Sequence, residues 1–333
     1  MPRAMTTLVE HAGTAGLRLA ELPLPFPVGP VNAWIFVDGP VTVVDPGMFS
    51  SNSTDRLEAA LAEAGLTIGS VDQIVVTHAH PDHFGAAAWL SDKADAPIVC
   101  GAPEAAKLLS FGPEHVEERS AHYMALLASV GVPNELQDTF TMMRSMVADQ
   151  VRPVASSMLA PMADGEDLQI GGRTFVAHVT PGHSSGHLSL HSGGTLISGD
   201  HLLAHITPNP FIEAADTPLG RRRSLVEYLD SLARFEALDP DLVLPGHGPA
   251  FRDVPQLAGT LRAHHDKRAG EILRLIAEHP GSTIHELAQA YFSGLESYHV
   301  VLGISEIAGH IDLLENRGEV VSRGAPQRFT ATR

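Results

Sequence analysis

The stretch Val75-Val76-Thr77-His78-Ala79-His80-Pro81-Asp82-His83 decides how this chain is read. A strand-like run, Gln73-Ile74-Val75-Val76, leads straight into four metal-capable side chains packed into positions 78–83. Three imidazoles and a carboxylate are the donor mixture that Zn²⁺ or Fe²⁺ accepts. Ordinary core packing has no use for them side by side, because each is costly to bury without a partner. The pattern is a rigid strand ending in a loop of ligands, and it points to a metalloenzyme.

Working outward, Val31–Val37 and Val41–Val44 read as two strands joined by the turn Asp38-Gly39-Pro40, and Asp45-Pro46-Gly47 ends the second. A helical pattern covers 54–65, and a small-residue helix runs from about Gly85 to Leu90. Residues 103–160 are helix-favouring and hold Met124, Met142, Met143, Met146 and Met158. The spacing of Met142 with Met146 and of Met143 with Val147 predicts an amphipathic helix. Such methionines fill core gaps or line adaptable binding surfaces. Strands are expected at 173–180, 188–191, 195–198 and 242–244, with a helix over 219–238. From about Leu257 the character changes. Helices are expected at 268–278, at 283–292 with Glu286 placed for a capping box, and at 300–316, stopped by Gly318. Val320-Val321 and Phe329-Thr330 would then pair as a wing.

Three more candidate ligands are spread along the chain: His183 in Thr180-Pro181-Gly182-His183, Asp200 in Ser198-Gly199-Asp200-His201, and His247 in Leu244-Pro245-Gly246-His247. Each follows an expected strand and sits beside glycine, which lets backbone turn sharply or approach a metal.

Composition bounds the partners. The 333 residues are 44% hydrophobic, enough for a large core, and the formal net charge is −17. An acidic field of that size repels nucleic acid and anionic membrane, and the longest basic run, Arg221-Arg222-Arg223, is short. Cys100 is the single cysteine, expected as a small buried hydrophobe. The N-terminal residues lack a signal-peptide pattern, and no stretch reaches the ~20 apolar residues of a membrane span. A cytoplasmic protein is the expectation.

The motifs Thr-His-Ala-His-Pro-Asp-His, Pro-Gly-His-Ser, Gly-Asp-His and Pro-Gly-His-Gly, in this order after Val43-Val44-Asp45-Pro46-Gly47, resemble those of the metallo-β-lactamase superfamily over roughly residues 20–250. The tail from 257 resembles the winged-helix extension of some members, including the lactamase-beta-2-like group. The resemblance implies an α/β fold, the four-layer αβ/βα sandwich, with a catalytic domain at 1–256 and a small winged-helix-like domain at 257–333. It implies one metal held by His78, His80 and His183 and a second held by Asp82, His83 and His247, with Asp200 bridging. Two divalent ions are expected, zinc first, with iron or manganese also suited. Asp82 and Asp200 would be the catalytic carboxylates. Asp45, His187 and His201 would stand behind the ligands, and His205 would meet substrate. The implied reaction is hydrolysis by a hydroxide shared between the metals.

The substrate stays open at this level. Ester or thioester hydrolysis, as in glyoxalase II or acyl thioesterases, leads; lactone or β-lactam opening and phosphodiester cleavage are alternatives, and a ligand-sensing winged-helix regulator is the non-enzyme reading. The methionine-rich insert, as a lid, would suit a small molecule with an apolar or acyl portion; as packing, it could build a homodimer contact. The last expected helix carries no Lys or Arg between His299 and Asn316, so the tail is expected to pack on the sandwich or a partner subunit rather than read DNA.

Overall fold

The structure, a computed structural model, describes residues 16–25, 29–134, 136–137, 149–213, 221–292 and 299–332. The helix expected around Met142, Met143 and Met146 lies outside the described residues.

Two sheets face each other. The first is six-stranded, in the order β1 (Leu17–Leu22), β2 (Val31–Phe36), β3 (Thr42–Val44), β4 (Gln73–Val76), β5 (Ile98–Gly101) and β6 (Leu159–Met162). β1 to β3 form an antiparallel meander; β3 to β6 run parallel. Parallel neighbours need crossovers, and helices supply them: α1 (Ser51–Glu63) between β3 and β4, and α2 (Pro81–Phe84) with α3 (Ala87–Ala94) between β4 and β5. After β5 the chain forms α4 (Ala105–Leu109) and α5 (Val116–Ser129). The second sheet has β7 (Asp167–Ile170), β8 (Arg173–Val179), β9 (Leu188–Ser192), β10 (Thr195–Gly199) and β11 (Leu242–Pro245), in the order β11-β10-β9-β8-β7. Only β10 and β11 are parallel there.

The period-two rule explains the layers. Val44, Val75 and Val99 face Phe175, Leu188, Leu190 and Leu244 between the sheets. Their chain neighbours Val43, Ile74, Val76 and Ile98 face outward onto Leu57, Leu61 and Leu90 of α1 and α3. Strands buried on both faces carry no polar alternation, so β4 reads as a plain apolar run. Beyond the second sheet's outer face lie α6 (Ser224–Leu238), α7 (Val254–Glu278), α8 (Ile284–Tyr291) and α9 (His299–Asn316), whose buried residues share one hydrophobic cluster with it. The hairpin β12 (Val320–Arg323) and β13 (Arg328–Ala331) closes the chain. Leu196 and Val243 of the sheet, Tyr228 and Phe235 of α6, Ile272 of α7 and Ile304 of α9 belong to one hydrophobic cluster. The C-terminal helices are therefore an outer layer of the sandwich.

Several local expectations shift. The helix expected from 268 begins at Val254, so the break expected at 257 falls inside α7. Asp253 starts it: its side chain accepts from Gln256 N, and Pro255 occupies the first turn. β6 lies where helix was expected to continue to 160; Pro161 is tolerated there because β6 is the sheet's outermost strand. β1 and β7, also edge strands, were not expected. The capping box at Thr283 and Glu286 is present, and Cys100 is buried, which pushes its thiol up to about 12. No helix among the described residues is long and apolar enough to cross a membrane.

Candidate metal centre

The strand ends converge. Parallel β10 and β11 carry Asp200 and His247 past the same edge of their sheet, and β8, two antiparallel steps from β10, delivers the His183 loop there. β4 delivers positions 77–83 from the other sheet. Backbone hydrogen bonds stitch these loops together: Leu188 N donates to Thr77 O at 2.7 Å, Gly246 N to Gly199 O at 2.8 Å, and Asn32 N to Gly246 O at 2.7 Å. Gly246 has to be glycine. A Cβ there would collide with Asp200 Oδ1 and lie 2.7 Å from His83 Cε1.

Of the seven expected ligands, three form one group. His78 Nε2 is 2.9 Å from His80 Nδ1 and 3.2 Å from His183 Nε2, and His183 Nε2 is 3.0 Å from His80 Nδ1. Tautomers follow from the opposite ring edges. Thr77 Oγ1 donates its only proton to Asp45 Oδ2 at 2.8 Å, so it accepts from His78 Nδ1–H at 3.0 Å. His183 Nδ1–H donates to the Asn209 carbonyl at 3.0 Å. Nε2 of both His78 and His183 therefore bears a lone pair, and the two lone pairs face each other. That arrangement repels unless a cation sits among them. A tetrahedral Zn²⁺ with Zn–N bonds of ~2.0–2.1 Å holds its nitrogens roughly 3.3 Å apart, close to the spacing here.

The second group follows the same logic. His83 Nδ1–H donates to Asp45 Oδ2 at 2.9 Å and His247 Nδ1–H to the Pro30 carbonyl at 2.9 Å. Their Nε2 atoms turn inward toward carboxylates. His83 Nε2 is 3.8 Å from Asp82 Oδ2, and His247 Nε2 is 3.4 Å from it. Asp200 Oδ2 stands between the groups, 3.3 Å from His83 Nε2, 3.5 Å from His247 Nε2 and 3.8 Å from His183 Nε2. Its Oδ1 is buried with no donor. His78, His80 and His183, and separately Asp82, His83 and His247, are spaced to hold a metal ion, with Asp200 reaching both sets.

Electrostatics divides the groups. Burial, reinforced by neighbouring imidazoles, holds His78 and His80 well below the ordinary histidine range; His183 is lowered mainly by burial. Burial also disfavours charge on His83, but Asp200, Asp82 and Asp45 outweigh it and lift that ring well above its usual value. His247 rises too, burial being overcome chiefly by Asp200. Asp82 is pushed up by burial yet ends at about 2 through His83 and His247. One side of the centre is a neutral donor set; the other couples two histidines to carboxylates.

The residues expected behind the candidate ligands take these places. Asp45, at φ 54, accepts from Thr77 N, Thr77 Oγ1 and His83 Nδ1, so one carboxylate orients two ligand rings. His187 stacks on His78 at 5.3 Å and bonds Thr180 Oγ1 through Nδ1. His201 lies further out: its ring packs on Tyr228, Phe235 and His187. His205 is exposed beside Gly248, the chain neighbour of His247, and hydrogen-bonds to none of the seven.

Sequence reasoning passed over Glu104. It is fully buried after β5; Oε1 accepts from Ala79 N at 2.8 Å and Oε2 from Gly186 N at 2.9 Å. It ties the loop of His78 and His80 to that of His183. The available signal was its place in Gly101-Ala102-Pro103-Glu104, a strand end beside glycine like the ligand sites. Phe211 was also missed; its ring meets His80 at 4.7 Å and His183 at 5.7 Å. A separate cluster of His264, His265 and Glu306 in the outer layer is a poor cation site, because Arg268 already neutralises Glu306 at 2.6 Å.

Comparison with known proteins agrees with this geometry. The sequence profile of the metallo-beta-lactamase superfamily matches residues 26–247. The chain is 28% identical over 304 residues to "Probable metallo-hydrolase YqjP" of Bacillus subtilis (strain 168), covering 91% of this chain and 93% of that one. Among solved structures, a metallo-beta-lactamase family protein from Thermus thermophilus superposes with a TM-score of 0.80 at 28% identity, covering 95% of this chain and 99% of that one. A beta-lactamase domain protein from Burkholderia ambifaria reaches 0.78 at 31% identity, over 95% and 92%.

Proposed function

Because the chain belongs to the metallo-beta-lactamase superfamily, we propose that it is a binuclear metal-dependent hydrolase acting on an ester or thioester. The observation that carries the reading is the pair of facing lone pairs on His78 and His183 beside the carboxylate-lined pocket of His83 and His247. His78, His80 and His183 would hold one cation, Asp82, His83 and His247 a second, with Asp200 shared. Zinc suits this nitrogen and oxygen set, and iron or manganese would fit similar ligands. When bound, such cations would supply a water activated toward a pKa of ~7 and polarise the substrate oxygen.

The chain's own residues do the rest. Asp45 and the Asn209 carbonyl fix ring orientation. Asp82, with its side chain 21% exposed, is the ligand carboxylate that solvent reaches, so it is placed to orient a water and pass a proton to a leaving group. No side-chain nucleophile is needed. The half-buried Phe211 ring gives half-buried His80 an apolar neighbour, which suits an acyl portion. The basic run offers little to a phosphodiester: Arg221 bonds Asp312 and Gln327, Arg222 bonds Glu227, and Arg223 bonds Asn316. The three-helix and hairpin tail is read as winged-helix-like in order but used as scaffold. Positions 303–314 of α9 are buried without interruption, which leaves no face for a DNA groove.

A hydrolysis panel tests the substrate class: thioesters, aryl esters, lactones, β-lactams and bis-phosphodiesters, assayed with the metal-loaded protein. Turnover led by thioesters or esters supports the reading. Exclusive phosphodiester cleavage, or β-lactam opening with no ester turnover, overturns it.

A further inference from the structure

The outer layer reaches the metal centre through one short loop. His183 Nδ1 donates to the backbone carbonyl of Asn209 at 3.0 Å. The Asn209 side chain donates in turn to the Leu302 carbonyl of α9 at 3.2 Å. Ile212 N donates to Ser305 Oγ of α9 at 3.1 Å, and Ser305 is fully buried. Between these anchors, a Cβ on Gly309 would lie 3.3 Å from Pro210 Cγ and 3.0 Å from Leu225 Cβ, so α9 and this loop are in close contact. At the loop's far end, Ser224 Oγ of α6 donates to the Phe211 carbonyl at 2.9 Å, and the Phe211 ring meets both His80 and His183.

We propose that α9 is a positioning element of the metal centre, with Asn209 and Ser305 as positioning residues that set the tautomer and aim of His183. The chemistry is that of any partner behind a ligand imidazole. The ring must carry its proton on the side away from the metal and be held in one orientation, and loss of such support costs ~10–100-fold in metal affinity. Here the acceptor is a loop carbonyl, which is only as well placed as the loop. Two hydrogen bonds to α9 hold it. α9 is itself held by the buried pair of Arg221 with Asp312 at 2.6 Å and by Ile304, Ile307 and Ile311 in the outer core. The C-terminal layer thereby acquires a role at the site without contributing a ligand. The inference rests on cation binding by His78, His80 and His183, not on the identity of the substrate.

The test is metal affinity. The metal-stripped full-length protein is titrated with Co²⁺ in competition with a chromophoric chelator, and the visible spectrum reports the coordination of each ion. Asn209→Ala and Ser305→Ala are compared with Ile272→Val, a core truncation in α7 that removes no hydrogen bond. The expected result is a ~10–100-fold weaker three-histidine site in Asn209→Ala and a smaller loss in Ser305→Ala. Ile272→Val should lower the thermal midpoint but leave both affinities at the wild-type value. If both anchor variants bind Co²⁺ as tightly as wild type, or if Ile272→Val weakens binding equally, α9 only covers the sheet and the proposal fails. Wild-type protein that binds no Co²⁺ would instead count against the metal centre itself.

Discussion

At the scale of single residues, the centre is decided by what stands behind each ring. Asp45, Thr77, Pro30 and Asn209 each take a ring proton or relay one, and each turns a ring's Nε2 inward. The candidate ligands could be named from the sequence because four of them crowd positions 78–83 and the other three follow expected strands beside glycine. Glu104 could not, since one carboxylate after a strand resembles any surface acid until its burial is known. It predicts a clear outcome: Glu104→Gln puts an amide NH₂ against one backbone N–H, stranding a buried donor at about 1–3 kcal/mol, and Glu104→Ala strands both Ala79 N and Gly186 N. Urea unfolding of the metal-free protein should show wild type > Gln > Ala; equal midpoints for all three would mean the two ligand loops do not depend on this carboxylate.

At the scale of elements, the parallel strands and their crossover helices could be read from apolar runs and breakers, whereas three edge strands could not. β6 and β7 bury a single residue each, β1 interrupts its buried positions with Arg18 and Glu21, and all three borrow their identity from a neighbour, so local pattern carries little of it. The start of α7 was missed for a similar reason: Asp253 caps it from a left-handed conformation, φ 68, which sequence spacing does not reveal. That geometry makes a distinguishing prediction. Asp253→Ala loses the cap and strains the backbone, costing roughly 1–3 kcal/mol, while Asp253→Gly loses only a few tenths. Thermal melts that rank Ala at or above Gly would show that the left-handed cap carries no weight.

At the scale of the whole molecule, acidity and burial set the response to pH. In the outer layer, burial lowers His265 to about 3, helped by His310, and lowers His310 to about 4. Unfolded histidine titrates near ~6.5, so below that pH the unfolded chain binds protons that the fold excludes. Stability therefore falls as pH drops from about 6.5 toward 4. Asp312 works in the opposite sense over part of that range, because burial raises it to about 6 against its pairing with Arg221. His310→Asn removes one titrating ring while offering Glu306 O a donor; it should lose less stability than wild type between pH 7 and pH 5 by urea unfolding, and an unchanged loss would remove His310 from this account. The central claim, a two-cation hydrolytic centre built from seven convergent side chains, is tested most directly by elemental analysis of the folded, active protein after exhaustive dialysis. The account predicts close to two transition-metal ions per chain, falling in Asp200→Ala together with turnover; a well-folded protein that stays active with no bound metal would contradict it.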